Sequence, residues 1–275
     1  MMRYIKLVNF EINRFSKIYL SLLLITLVSQ FAGVIIVTKS LLDDARDIMK
    51  EERLSEAAYI TNYGGIDFNH IANSLLFVGP IALSAVALIF YIFLIWYRDW
   101  FGKNTFIYRL LMLPTSRLSI YLSKATSIFL MVLGLIAFQI IILPMENALF
   151  NSNVPQALLS EMSISTITIA NPILSLIIPS TFTQFLISYG IGLMIMSILF
   201  TAIMFERSFR IKGIIMGLLY CGIAAVLFLA PVLMEIGNFY FYPNELFGLM
   251  LAIGIILTGL SVWLGAWLLK NRVTV

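Results

Sequence analysis

The chain has 275 residues, of which 61% are hydrophobic and 12% are charged, and its formal net charge is +4. Because soluble domains carry about one quarter charged residues, this composition excludes an ordinary soluble fold and indicates a membrane protein. The single cysteine, Cys221, lies within an apolar run, which excludes a disulfide framework and a cysteine-based metal motif.

Six apolar runs of about twenty residues predict an all-α polytopic membrane protein with six transmembrane helices. At about 1.5 Å per residue, each run is long enough to cross a hydrocarbon core of about 30 Å. We expect the first run to be a retained helix, because it is too long for the core of a signal peptide and no cleavage pattern follows it. Residues 1–275 then form a single transmembrane domain. Its predicted spans are approximately 18–38, 74–97, 121–143, 180–204, 212–234 and 246–269.

The segments between the runs differ in length and composition. Residues 39–73 are charged and predict a surface helix that ends at Asn62-Tyr63-Gly64-Gly65. Residues 144–179 begin at Pro144, and their short apolar piece, ILSLII, is a candidate re-entrant turn. The connection 235–245 is short and aromatic. None of these segments is long enough to fold as a separate enzyme domain.

Basic residues are distributed unevenly between these segments. If the N-terminus lies inside, the inner segments hold fourteen of the eighteen Lys and Arg residues, and the outer segments hold eleven of the fourteen Asp and Glu residues. This asymmetry predicts a multi-pass membrane protein whose N- and C-termini are both cytoplasmic. We expect the membrane to be the plasma membrane. The inner segments are 1–17, 98–124, 205–212 and 270–275. All four tryptophans then fall at inner ends of spans, as an aromatic belt would place them: Trp96, Trp100, Trp263 and Trp267.

Ionisable side chains are absent from the central part of all six predicted spans. Ion-coupled carriers usually bury such groups, so a secondary carrier is disfavoured, although sodium sites built from backbone atoms stay open. The only histidine, His70, fits a solvated loop residue better than a ligand, and Cys221 fits a packing residue better than a nucleophile. The Gly102-Lys103-Asn104 stretch lacks the other residues of a phosphate-binding loop. The sequence therefore predicts no catalytic, cofactor or metal site on this chain.

A basic, aromatic strip, WYRDWFGKNTFIYRLLMLPTSRLSIYLSK, connects the second and third runs from Trp96 to Lys124. Its residues 99–112 predict a helix that ends before Pro114, in which Asp99 and Lys103 pair one turn apart. One side of this helix would lie along the inner membrane face, with Trp100, Ile107, Leu111 and Pro114. The charged residues left available to the cytoplasm are Asp99, Lys103 and Arg109.

The strip has two interpretations. It either docks a partner protein or only anchors the topology of the chain.

Thr115 or Ser116 would cap the helix that starts at Arg117 and continues into the third span. Topology and anionic lipid explain the basic excess of the chain, so no nucleic-acid partner is expected.

Three features of the sequence occur together. The chain starts with the amphipathic stretch YIKLVNFEINRFSKIYL, it has six runs with both ends inside, and its strip has an acidic residue and a glycine followed by LLMLPTSRLSIYLSK. In this combination the chain resembles, over essentially its whole length, the permease subunits of ABC-2 type transporters. The resemblance implies an N-terminal interfacial amphipathic helix at 1–17. It also implies a cytoplasmic coupling segment at 98–117 that inserts into a separate ATP-binding cassette subunit.

The resemblance implies that the chain is a transport subunit and not an enzyme. It also implies that the partner ATPase binds ATP and Mg²⁺. A second permease copy or a paralogue would complete the transporter. The implied ATPase-coupling residues are Asp99, Trp100, Gly102, Lys103, Asn104, Tyr108, Arg109, Pro114 and Arg117. Few polar residues could line a central cavity, so we expect an exporter of hydrophobic or amphipathic cargo, such as a drug, lipid or membrane-active peptide. The polar candidates for that cavity are Tyr91, Gln139, Thr183, Gln184, Tyr189, Thr201, Tyr220 and Thr258.

Other functions stay open at this point. The chain could be a non-transporting immunity, sensor or assembly protein that binds a partner through the strip. A secondary carrier or channel is the less favoured alternative, because the spans lack charge. The Gly213-x-x-x-Gly217 motif allows close helix packing, either at a dimer seam or within one chain.

Overall fold

A computed structural model describes residues 2–101, 107, 110, 112, 116–236 and 240–272. Their regular structure is helical, and the only strand-like pairing among them is an isolated bridge between Ile66 and Leu159. The helices are α1 Met2–Glu51, α2 Glu56–Tyr63, α3 Asn69–Ala72, α4 Leu75–Trp100, α5 Arg117–Asn153, α6 Ile164–Ala170, α7 Pro172–Ile177, α8 Phe182–Phe209, α9 Ile211–Ile236 and α10 Pro243–Asn271.

Six of these helices are long and apolar enough to cross a membrane: α1, α4, α5, α8, α9 and α10. Each contains most or all of one predicted span, so the predicted all-α, multi-pass membrane class is confirmed. The cytoplasmic position of the termini and the interfacial position of residues 1–17 stay predictions.

Helix α1 is one continuous helix of 50 residues. The sequence predicts three pieces over the same stretch: the interfacial helix, the first span and the start of a surface helix. No helix boundary separates them, because residues 2–51 contain no proline and only one glycine, Gly33. The predicted surface helix is instead interrupted after α1, where Arg53 adopts a positive φ of 54°. Ser55 then caps α2, and Gly64 ends it with a φ of 84°.

Helix α5 also extends beyond its predicted span. The sequence suggests a boundary at Pro144, but the helix continues through this proline to Asn153. Its 37 residues span about 55 Å, whereas a hydrocarbon core needs about 30 Å. Residues from Pro144 onward therefore extend an apolar helix that already has the length of a span, and they include Glu146.

Two compact units make up the chain, and each is described by itself. Unit 1 comprises Met1–Arg14, Leu88–Leu130 and Thr183–Val275, and unit 2 comprises Phe15–Ala87 and Met131–Phe182. Unit 2 has a core in which Phe68 meets Phe77 and Phe150 edge to face. The apolar piece predicted as a re-entrant turn is α7, whose Leu174 is fully buried in this core.

Unit 1 is held by aromatic packing and by close helix approach. Phe200 of α8 lies edge to face with both Trp96 of α4 and Tyr121 of α5. Gly265 of α10 permits this packing, since a Cβ at its position would lie 2.6 Å from the Tyr121 ring. Trp96 is fully buried in this cluster, so it does not belong to the predicted aromatic belt. Trp263 and Trp267 are exposed on α10, as a belt requires.

The Gly213-x-x-x-Gly217 motif packs inside the chain. A Cβ at Gly213 would collide with the carbonyl oxygen of Phe205, and one at Gly217 would lie 3.0 Å from the carbonyl oxygen of Ala202. Both neighbours belong to α8 of the same chain. Of the two roles open for this motif, close packing between α8 and α9 is the one that the structure shows.

Candidate functional site

Five charged residues of unit 1 form a buried ion-pair network, which we call the charge network. Its members are Glu11 and Arg14 of α1, Arg98 and Asp99 of α4, and Lys124 of α5. These residues lie where the amphipathic start of α1 meets the end of α4 and the beginning of α5. The network therefore joins three helices at the start of the predicted coupling segment.

Lys124 is the centre of the charge network, and its side chain is fully buried. Its ammonium lies 2.5 Å from Asp99 Oδ2 and 2.7 Å from Glu11 Oε1. It also donates a 2.9 Å hydrogen bond to the carbonyl oxygen of Ile95, so all three N–H donors have a partner. The Trp96 ring lies 5.1 Å away and adds a cation–π contact. This ammonium is fully satisfied without water.

Two arginines complete the network from its edge. Arg14 Nη1 lies 2.7 Å from Asp99 Oδ1, and Arg98 Nη2 lies 3.1 Å from Glu11 Oε2. Each carboxylate thus contacts Lys124 on one oxygen and an arginine on the other. Both arginine side chains keep about a quarter of their surface exposed. The three bases and two acids leave a net charge of +1, carried at the solvent-accessible edge.

Neutral hydrogen bonds continue this junction along α1 and α5. Tyr4 pairs with Thr126 through their hydroxyl oxygens at 2.5 Å, and Ser127 donates to the carbonyl oxygen of Val8 at 3.2 Å. Tyr91 of α4 donates to the carbonyl oxygen of Glu11 at 3.3 Å. The first three turns of α1 are therefore fixed against α4 and α5 by polar contacts as well as by charge.

The position of Asp99 corrects the sequence analysis. We expected its carboxylate to be available to the cytoplasm, but the residue is fully buried. The i,i+4 pairing with Lys103 neglected two cations from other helices, Arg14 and Lys124, which occupy both carboxylate oxygens. Sequence reasoning also missed Glu11. Its signal was that it is the only acid among the first 17 residues, whose other charged side chains are all basic.

The two ends of the predicted coupling segment have further contacts inside unit 1. At one end, the Arg207 guanidinium of α8 lies over the rings of Tyr97, Phe101 and Trp100 at 4.5, 5.4 and 5.6 Å. The Tyr97 hydroxyl donates to Glu206 of α8. At the other end, Arg117 donates to the carbonyl oxygens of Leu269 and Lys270, which end α10.

Of the predicted coupling residues, the structure describes three: Asp99, Trp100 and Arg117. Buried Ile107 and Leu110 pack with Ile120, and Trp100 lies against them, so the apolar side predicted for this segment faces protein at these positions. The remaining predicted residues lie outside the described part of the chain: Gly102, Lys103, Asn104, Tyr108, Arg109 and Pro114.

An apolar cavity of about 740 Å³ lies between α8 and α10, with Phe228 of α9 on one side. Met194, Met250 and Ile255 are among its lining residues, and Thr258 is the only lining residue with a polar side chain. The other polar candidates do not line it. Thr201 and Tyr220 hydrogen-bond to Ser261, and Gln139 hydrogen-bonds to Gln30 in unit 2. Such a cavity suits an apolar molecule.

The sequence and the structure were both compared with known proteins. No family model matches the chain, and neither a curated protein nor a solved structure matches it.

Proposed function

We propose that this chain is the membrane-spanning permease subunit of an ATP-driven ABC transporter of the plasma membrane. In this proposal it exports hydrophobic or amphipathic cargo and pairs with a second copy or a paralogue. A separate ATP-binding cassette subunit supplies the energy and binds ATP and Mg²⁺. The observation that carries the proposal is the charge network, together with the contacts of Arg207 and Arg117. They join both ends of segment 98–117 to the ends of five membrane helices.

Such a connection suits the transmission of force. Buried ion pairs add little to stability compared with apolar packing, but breaking one by removing a partner costs about 3–5 kcal/mol. A displacement of the segment is therefore passed to α1, α4 and α5 instead of being absorbed by sliding of side chains. A loop that only anchored topology would need exposed basic residues and no buried acids. Two fully buried acids favour a mechanical role.

The apolar cavity supports the class of cargo. It is bordered by α8, whose end carries Glu206 and Arg207 beside the coupling segment. A shift of this end of α8 would change the shape of the cavity, because Leu186, Ile191 and Met194 of the same helix line it. Movement at the segment and binding of cargo are thus connected through one helix of unit 1.

The test is co-expression of this chain with candidate ATP-binding cassette subunits from the same genome. The variant Lys103→Ala/Arg109→Ala removes two charges from the predicted docking surface and leaves the charge network intact. We expect normal amounts of membrane-inserted protein but weaker ATPase association, since charge pairs buried in an interface cost about 2–5 kcal/mol when one side is truncated. Cargo-stimulated ATP hydrolysis should fall accordingly.

The matched control is Asp47→Ala/Lys50→Ala. This pair lies on α1 at 3.2 Å, and both side chains are more than two thirds exposed. It should leave ATPase association unchanged. If Lys103→Ala/Arg109→Ala associates and transports like the parent, the strip only anchors topology. A complex that forms without changing the ATPase rate would favour the immunity, sensor or assembly alternative, and transport by the chain alone would favour a carrier or channel.

A further inference from the structure

Glu146 is a buried carboxyl in unit 2 that takes no part in the charge network. It lies on α5 between Leu143 and Phe150, two members of the core of unit 2. The residue is fully buried. Neither of its carboxyl oxygens has a hydrogen-bond partner, and no ion pair involves it among the described residues.

The register between α1 and α5 shows which residues of α1 lie level with Glu146. Tyr19 donates to the carbonyl oxygen of Met131, and Gln30 donates to Gln139 Oε1 at 3.2 Å. From the first contact to the second, the residue number rises by 11 on α1 and by 8 on α5. The two helices therefore run in the same direction. The next layer holds Val34 and Leu143, which are both buried in the core of unit 2.

One further turn along each helix brings Thr38 level with Glu146. Counted from the glutamine pair, Thr38 lies about 12 Å along α1 and Glu146 about 10.5 Å along α5. Thr38 is 1% exposed, and its hydroxyl has no hydrogen-bond partner among the described residues. Leu42 and Phe150 form the layer beyond. Thr38 and Glu146 thus form a polar layer enclosed by apolar layers on both sides, which we call the Glu146 layer.

The buried carboxylate of this layer needs a positive charge to neutralise it. An ionised carboxylate without a partner is very costly to bury, and no basic side chain in the described part of the chain neutralises this one. One carboxylate balances one positive charge, whereas a divalent ion would keep a buried excess charge and usually needs several carboxylates. The Thr38 hydroxyl is the second polar group of this layer. Its neutral oxygen can accept a hydrogen bond from a protonated carboxyl or coordinate an alkali metal ion.

We propose that the Glu146 layer binds one monovalent cation, either a proton on the carboxyl or an alkali metal ion between Glu146 and Thr38. This site is independent of the proposed transport function. It implies that Glu146 is never a free carboxylate in the folded protein, and that unit 2 is stabilised by whichever cation occupies the layer.

The test compares the full chain with Glu146→Gln in detergent or lipid. Infrared difference spectra between the two at neutral pH report whether the parent carboxyl carries a proton or is ionised. Thermal unfolding in sodium, potassium and choline chloride reports whether an alkali metal ion binds. The matched control is Glu161→Gln, because Glu161 is an exposed carboxylate of the same unit. This control should remove an ionised carboxylate signal and show no sodium effect of its own.

Two results support the site and identify the cation. A protonated carboxyl band that disappears in Glu146→Gln identifies a proton. Ionised carboxylate bands, with a sodium- or potassium-dependent rise in unfolding temperature of several degrees that Glu146→Gln loses, identify that alkali metal ion. Ionised bands overturn the proposal when the unfolding temperature is the same in sodium, potassium and choline chloride. It is also overturned if the parent shows a protonated carboxyl band and Glu146→Gln fails to fold, because the amide is the closest neutral mimic of a protonated carboxyl.

Discussion

The charge network of unit 1 and the Glu146 layer of unit 2 differ in how their buried carboxylates are neutralised. In the network, Glu11 and Asp99 each contact Lys124 and at least one arginine, and Lys124 has a partner for every donor. In the Glu146 layer, the carboxyl lies level with the Thr38 hydroxyl and pairs with no base among the described residues. The network is complete within the described residues and is suited to a mechanical role. The layer is incomplete without a cation, so its state depends on what the surroundings supply.

Exposed positions of the chain should differ in the side of the membrane from which a reagent reaches them, as the distribution of basic residues predicts. In a Cys221→Ala background, Asp47→Cys and Ser160→Cys of unit 2 should react with an impermeant thiol reagent added outside. Lys212→Cys and Asn271→Cys of unit 1 should react only after permeabilisation. All four positions are exposed. The expected contrast is all or none, because the basic residues fix one orientation. Labelling of Asn271→Cys from outside would reverse the topology and remove the docking surface from the cytoplasm.

Removing the central cation should be the most destabilising change in the network. Lys124→Gln leaves the buried Glu11 and Asp99 with only the partly exposed arginines as partners, and we expect a loss of about 3–5 kcal/mol in the free energy of unfolding in mixed micelles. The double variant Asp99→Asn/Lys124→Gln removes one charge of each sign and should recover part of this loss. If the single and double changes are additive, the two charges do not interact and the network has been misassigned.

An exposed ion pair on α1 should give the smallest loss in the free energy of unfolding. Asp43 and Arg46 on α1 lie 3.4 Å apart, and both side chains are at least 60% exposed. Asp43→Ala should change the free energy of unfolding by less than about 0.5 kcal/mol, because water and salt already screen this pair. Measurement in the same micelles as Lys124→Gln separates the effect of burial from that of charge. A loss as large as that of Lys124→Gln would show that the assay responds to any change of charge.

The sequence predicts the membrane class and the six spans because both depend on local hydropathy and length. It does not predict the charge network, because the partners are far apart along the chain: Glu11 and Lys124 are separated by 113 residues, and Arg14 and Asp99 by 85. Local pairing rules instead assigned Asp99 to Lys103. Glu146 was placed in a loop because it follows Pro144, whereas the helix tolerates this proline and carries the carboxyl into a core.

The long separation of Glu11 and Lys124 also has a consequence for biogenesis. At ribosomal rates, synthesis of the residues between them takes on the order of ten seconds, during which the Glu11 carboxylate exists without its central partner. A nascent chain that ends before the start of α5 cannot close the ion pair, however well its first two hydrophobic segments have inserted. Formation of the pair therefore follows delivery of the third segment to the bilayer. An insertase or chaperone that shields the beginning of α1 until then would protect a charge that the finished protein buries.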